Sequence, residues 1–166
     1  MITNKQLHVL GKFLDRPLQL VGDKNDVPIL KENGLNVQGY ISIAKHITRT
    51  SKQHALLGKT PTEKALVDQW LEYVSLHLQD NSETASNLQE LNQFLADRVY
   101  LLGHFVSLAD MLLYFTLHET FNELTFCDKE KYIHVSRWFD NMQYHHNFAN
   151  MYKLVKFHKT LLYSSS

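Results

Sequence analysis

Ten histidines and a single cysteine are the side chains in this sequence best suited to chemistry. Imidazoles bind zinc and carry protons, so a histidine-rich chain raises a metal site first. The spacing does not build one. No two histidines stand at i and i+4 around a glutamate, the arrangement that sets two imidazoles on one helix face beside a base. The neighbours His145 and His146 would point to different sides of a helix. No metal and no cofactor is expected. Cys127 lies in the run Thr125 to Glu130, near a helix start, where a thiol's pKa can fall. It has no second cysteine to pair with, and a base would have to come from elsewhere in the fold, so a structural or incidental thiol is the plainer reading. The six glycines are scattered, which leaves no phosphate-wrapping loop, and a Gly-x-Ser-x-Gly elbow is absent. No catalytic residue is assigned.

Two other spots shape backbone. Val27-Pro28 follows a polar stretch at a strand start. Pro28 is either an edge-strand proline whose missing N–H costs nothing or a cis proline. Ser107-Leu108-Ala109-Asp110 is a capping box, in which each side chain bonds the other's backbone N–H.

These residues need elements to hold them. An apolar pattern at Leu7, Val9, Leu10, Phe13 and Leu14 predicts a short helix over 3–14, ended by Arg16-Pro17. Leu18 to Val21 and Val27 to Leu30 are predicted strands, with a polar turn from Gly22 to Asp26 and a turn signal at Asn33-Gly34. Gly39 to Thr50 is predicted as a helix, followed by a polar connector, Lys52 to Lys59. Thr60-Pro61-Thr62-Glu63 is a strong helix start, with a cap, a proline at the first helical position and a capping box. The stripe Leu66, Val67, Trp70, Leu71, Val74 and Leu78 follows on one face. A loop is predicted at Asp80 to Ser86 and a helix at Leu88, Leu91, Phe94 and Leu95. The helix from Leu108 to about Glu119 is apolar all round and expected to be buried. Helices are predicted over Lys129–Tyr144 and Phe148–Lys159, and Ser164–Ser166 is expected to fray. The pattern is a small α/β lobe followed by an all-helical one.

Bulk properties narrow the function. Lys plus Arg is 17 and Asp plus Glu is 17, so the formal net charge is zero, whereas binding phosphate backbones usually takes a basic excess. Of the residues, 44% are hydrophobic and 20% charged, an ordinary soluble composition. A lone cysteine cannot form an internal disulfide, residues 1–10 carry no signal pattern, and no apolar run can span a bilayer. A cytosolic protein is expected.

The α/β lobe with its Val-Pro-Ile strand, and the buried helix opened by Ser107 and Asp110, resemble the glutathione transferase superfamily. The segments Glu63 to Tyr73, Val99 to Gly103, Leu108 to Tyr114, Glu130 to Tyr132 and Val135 to Phe139 resemble one branch of it. That branch is the elongation factor 1 epsilon family of synthetase-interacting proteins, and the resemblance runs from about Leu7 to Tyr163. It implies an α+β, mostly helical fold: a truncated thioredoxin-like lobe over 1–56 and an all-helical domain over 57–166. It implies that Pro28 is cis and that Ser107 and Asp110 nucleate the helical domain. It also implies a scaffold role in the multi-aminoacyl-tRNA synthetase complex. The partners would be the transferase-like domains of methionyl- and glutamyl-prolyl-tRNA synthetases. A nuclear role in the DNA-damage response is attributed to the same family.

The residues speak against glutathione chemistry. The sequence before Pro28 is about half the length that a first strand–helix unit with its nucleophile needs. The pair that would hold glutathione's charged amino-acid end falls on Gly39 and Tyr40, with Gln38 one position off. Unpaired charged groups would cost kcal/mol each. A non-catalytic adaptor is therefore expected. Its docking residues are expected to be Ile43 and Ile47 on one helix with Trp70 and Tyr73 on the next. Arg137, in Val-Ser-Arg-Trp-Phe, is the second contact, suited to bidentate ion pairs. The alternatives are a residual glutathione transferase, which a glutathione column would reveal, and a tRNA-binding module, which a salt-dependent shift would reveal.

Overall fold

The first helix, α1 (Asn4–Phe13), starts where Gln6 Oε1 accepts the Thr3 N–H at 2.8 Å. The same Gln6 donates from Nε2 to Phe115 O at 3.1 Å, so the start of the chain is pinned to a helix more than a hundred residues away. Leu7 and Leu10 are fully buried, each worth about 1.5–3 kcal/mol relative to exposure. Gly11 is required by space: a Cβ there would lie 2.6 Å from Arg16 O and 2.8 Å from Leu18 Cγ. The helix closes as Asp15 takes φ +55° and the Arg16 N–H returns to Gly11 O at 2.7 Å. The computed structural model describes residues 3–22, 27–32, 34–78, 84–145 and 151–157.

Three strands follow: β1 (Leu20–Gly22), β2 (Pro28–Glu32) and β3 (Leu35–Gln38). They form an antiparallel sheet in sequence order, with Leu20 opposite Leu30 and Leu30 opposite Val37. Among the described residues no strand precedes α1. The sheet is thus a meander, and β3 is an addition to the two strands predicted. Pro28 starts the central strand, where a lacking N–H does least harm. Its peptide bond is trans: no cis bond occurs among the described residues, which corrects the cis proline implied by the resemblance. Trans is the lower-energy isomer even for proline, and at a strand start nothing local opposes it.

Helix α2 (Tyr40–Arg49) and a 3-10 turn (His54–Leu57) lead to α3 (Pro61–His77), whose capping box forms as predicted: Thr60 Oγ1 accepts the Glu63 N–H at 3.2 Å and Glu63 Oε2 accepts the Thr60 N–H at 3.0 Å. Of the predicted stripe, Val67, Leu71 and Val74 are buried, while Leu66 is exposed. Next come α4 (Thr84–Phe94), α5 (Leu108–Glu123), α6 (Phe126–Lys131) and α7 (Ile133–His145). The α4 helix already includes Ser86, predicted as loop. The single helix predicted over Lys129–Tyr144 is two, broken at Tyr132. Residues 23–26, 33, 80–83, 146, 148–150, 158–159 and 164–166, parts of the predicted turns, loop, histidine pair, last helix and tail, lie outside the described residues.

The buried helix α5 centres the molecule. Leu108, Met111, Leu112, Leu113, Phe115 and Phe121 are all inside, in one apolar cluster that includes Leu7, Ile43, Val67 and Phe139. That cluster runs across the boundary expected between 56 and 57. Asp110, wholly buried, accepts from Leu101 N at 2.9 Å, Ser107 N at 2.9 Å, Ser107 Oγ at 2.7 Å and Trp138 Nε1 at 3.0 Å. Burial pushes its carboxyl up against the pull of these donors.

The predicted last helix is not helical where it is described. Residues 151–157 form an irregular strap, with no regular structure from Lys153 to Phe157. Side chains of three helices take its backbone groups instead. His118 Nε2 donates to Lys153 O at 2.8 Å and Lys129 Nζ to Lys156 O at 3.2 Å. Gln143 donates to Val155 O at 3.2 Å and accepts the Val155 N–H at 2.8 Å. Burial lowers the pKa of His118, so the neutral imidazole donating from Nε2 is the favoured form. Tyr152 stacks at 5.6 Å on Phe115, and burial moves its phenol up to about 12.

Candidate functional site

Of the five sequence-predicted contact residues, Ile43 and Ile47 change meaning in the structure, while Trp70, Tyr73 and Arg137 remain at least partly exposed. Ile43 and Ile47 are fully buried beneath α2 and cannot touch a partner, which corrects their assignment as contact residues. The physical reason is amphipathicity: the apolar face of a helix turns to the core, and its polar face meets whatever lies outside. That outer face carries Ser42 and Arg49, with Lys45 at its edge. Lys45 Nζ pairs with Asp68 Oδ1 of α3 at 2.7 Å and bridges the two helices. The exposed neighbours on α3 are Ala65, Gln69 and Glu72. The exposed side chains flanking this pair on α2 and α3 are thus mostly polar or charged rather than apolar. Sequence reasoning missed Lys45 and Asp68, because a pair across two helices has no local spacing to betray it.

Next to Lys45, α2 is also held by charge from the sheet. Glu32, on β2, accepts from Arg16 and, at 3.0 Å, from His46 Nε2 on α2. Arg16 also donates to Thr50 O at 3.0 Å. The His46 hydrogen bond is the largest influence and, with the charge and hydrogen bond of Arg16, holds the Glu32 carboxyl below the usual range against the upward push of burial.

Trp70 and Tyr73 are half-buried, and their ring partners come from α3 and α4 rather than α2. Trp70 meets Phe94 edge-on at 4.6 Å and Tyr73 at 5.2 Å. Tyr73 Oη donates to Glu90 Oε2 at 3.2 Å, and burial followed by the Glu90 charge pushes its phenol up. The stripe continues through Arg98, whose guanidinium lies 4.2 Å over the Phe94 ring. Arg98 stands four residues after Phe94, a helical spacing that was a signal in the sequence and went unused.

Arg137 is exposed on α7 and reaches back to α4. Its Nη2 donates to Leu95 O at 2.6 Å and to Arg98 O at 2.7 Å, capping the carbonyl end of that helix. In return Asn92 of α4 accepts the N–H groups of His134 at 2.9 Å and Val135 at 3.3 Å, capping the start of α7. The two helices exchange caps. Beside Arg137 lies a recess lined by Ala96, Asp97, Arg98, Val99, Trp138 and Asn141.

The position expected for glutathione's charged end is poorly equipped. Gly39, at φ +92°, has no side chain, and its N–H is taken by Pro28 O at 3.0 Å. Tyr40 is half-buried at the start of α2. Pro28, Ser107 and Asp110 occupy structural positions in the strand and helix starts described above. Cys127 is exposed on the short α6. Among the described residues no three His, Cys, Asp or Glu side chains group as a metal site needs, and no helix is long and apolar enough to cross a membrane.

Comparison with known proteins draws on the same regions. The sequence profile of a family described as nuclear-export cofactor Arc1p matches residues 63–146. Eukaryotic translation elongation factor 1 epsilon-1 of Cricetulus griseus is 40% identical over 147 residues, covering 86% of this chain and 84% of that protein. The bifunctional glutamate/proline–tRNA ligase of Cricetulus griseus is 31% identical over 137 residues, covering 76% of this chain but 9% of the ligase. Among solved structures, a glutathione S-transferase from Pichia kudriavzevii superposes with a TM-score of 0.74 at 22% identity, covering 87% of this chain and 88% of the other.

Proposed function

The chain belongs to the elongation factor 1 epsilon family, a family of translation proteins, and we propose that it serves there as a non-catalytic adaptor joining aminoacyl-tRNA synthetases through pairing of transferase-like modules. One observation carries the reading. A module spanning 76% of this chain resembles a small part of a glutamate/proline–tRNA ligase, so adaptor and synthetase would have related surfaces to pair. The charged outer face of α2 and α3 is the first docking surface, with Trp70 and Tyr73 at its α4 side. Arg137 is the second. The partners are methionyl-tRNA synthetase at one and glutamyl-prolyl-tRNA synthetase at the other, and the setting is cytosolic.

What supports a non-catalytic role is chemical. Among the described residues no strand before α1 is present to end in a nucleophile, and Gly39 has no side chain and commits its N–H to Pro28 O. The transferase-like fold favours one other reading, a residual glutathione transferase. Retention on a glutathione column with conjugation of an aromatic electrophile would establish it and end the adaptor reading.

The direct test is size-exclusion chromatography with light scattering, on the chain alone and mixed with each full-length synthetase from the same organism. Complexes of defined stoichiometry with both are expected, and with Arg137→Ala the glutamyl-prolyl complex should weaken by about tenfold or more while the methionyl complex persists. Unchanged binding of Arg137→Ala to both would remove Arg137 as a contact.

A further inference from the structure

We propose that Lys129 is a site of covalent acylation: its side-chain amine, buried without a counter-charge beside an apolar recess, takes an apolar acyl group from an activated donor, an acyl phosphate or a thioester. Among the described residues Lys129 is the one buried lysine, 9% exposed. Its Nζ donates to Lys156 O at 3.2 Å and lies 5.6 Å from the centre of the Phe157 ring. Among the described residues it pairs with no carboxylate. An ammonium held out of water with no anion beside it is a costly arrangement, and loss of its proton relieves that cost. Burial accordingly lowers the pKa of this amine. More of it is in the neutral, nucleophilic form at pH 7 than for a lysine in water.

The recess has a volume of about 310 Å³ and lies between α6, α7 and the end of the strap. Phe126, Ile133 and Phe157 make its apolar wall, which suits a short hydrocarbon chain. The charged groups around it are Glu130, Arg137 and Asp140, with Lys156 on the strap, and none of them bonds Nζ through its side chain. With two acids already in the lining, a free carboxylate is a poorer guest than a neutral acyl group. The backbone that carries the amine is fixed: the Lys129 N–H donates to Thr125 O at 3.1 Å, and Ser136 Oγ donates to Lys129 O at 2.7 Å. A nucleophile held in place needs less ordering to reach the carbonyl. The chemistry is a plain acyl transfer. The amine nitrogen attacks the acyl carbon and a C–N bond forms. The bond from that carbon to the phosphate oxygen or thiolate sulfur breaks, the leaving group departs with the electron pair, and the surplus proton on nitrogen goes to water. The amide product is neutral, so the reaction also removes the buried charge.

The test uses the full wild-type chain. It is incubated near neutral pH with limiting butyryl phosphate or, separately, with S-butyryl-N-acetylcysteamine, and mass spectrometry of its peptides reads acylation at each lysine. Lys129 should react about fivefold or more faster than the exposed Lys52 and Lys64, and its rate should level off at a lower pH than theirs. The faster of the two reagents identifies the class of donor. Butyryl should be favoured over acetyl at Lys129 and not at Lys52. The excess at Lys129 should vanish once the chain is unfolded in urea. A Lys129 that reacts no faster than Lys52 in the folded chain would overturn the proposal, since burial would then close the amine off. An excess that survives unfolding would overturn it too, because sequence neighbours such as Cys127 would then set the reactivity. Equal acylation of Lys129 by acetyl and butyryl donors would overturn the part given to the recess. None of these results bears on the adaptor reading, since no synthetase takes part.

Discussion

Glu32 in the small lobe and Asp110 in the helical lobe both gather donors from separated parts of the chain, yet only Asp110 is out of water. Glu32 keeps 29% of its side chain exposed and binds two basic groups, Arg16 and His46. Asp110 is wholly buried and binds neutral donors only, two backbone N–H groups, a hydroxyl and an indole. The carboxyl pKa values move in opposite directions accordingly, down at Glu32 and up at Asp110. The comparison teaches that the same functional group serves as a screened, adjustable tie beneath α2 and as a fixed hub inside the core.

The largest effect should come from breaking the hub. Asp110→Ala leaves four buried donors without an acceptor, and a loss of about 3–5 kcal/mol in urea-derived stability is expected. A loss under about 1 kcal/mol would mean that water reaches these donors and that the two carboxylates are not so different. Gln143 sharpens the contrast, being buried but uncharged. Gln143→Ala should cost about 1–3 kcal/mol and speed amide exchange at Val155, read by hydrogen–deuterium exchange. Breaking the exposed tie should cost less: about 0.5–1 kcal/mol at neutral pH for Glu32→Gln, and less in strong salt. Because the folded pKa of Glu32 lies below its unfolded value, this stability is present above the unfolded value of about 4.5 and is lost as pH falls through the folded pKa. Acid titration of the wild type, followed by circular dichroism, should show that loss, and Glu32→Gln should show a flatter profile in the same window. Smallest of all on stability is Lys45→Ala, under about 0.5 kcal/mol, for a pair whose Asp68 is half exposed. Under the proposed adaptor role, its measurable effect should be weaker binding of a synthetase at the α2–α3 surface.

The same division governs what the sequence made legible. Local devices were readable: Thr60 with Glu63, Ser107 with Asp110, and the apolar run of α5 all formed as their spacing implies, since each depends on neighbours within a turn or two. β3 escaped because Leu35-Asn36-Val37-Gln38 is too short to display a period. Ile43 and Ile47 were placed correctly on their helix but assigned to the wrong side of it, since an apolar face alone does not distinguish core from partner. The strap was misread as a helix because its apolar spacing suits one, whereas its backbone is satisfied by His118, Lys129 and Gln143, residues 12 to 35 positions away. The exchange of caps between α4 and α7 was invisible for the same reason, and with it the structural task of Arg137.

That strap also sets an order of events. Its receptors sit on α5, α6 and α7, so it has nowhere to settle until those three helices have packed. During synthesis the helical lobe must therefore wait, with Phe115, Phe121 and Phe139 less well covered, until the stretch through Phe157 has left the ribosome. Docking of the strap is then a late step of folding, and a nascent chain stalled before it would leave those rings less covered.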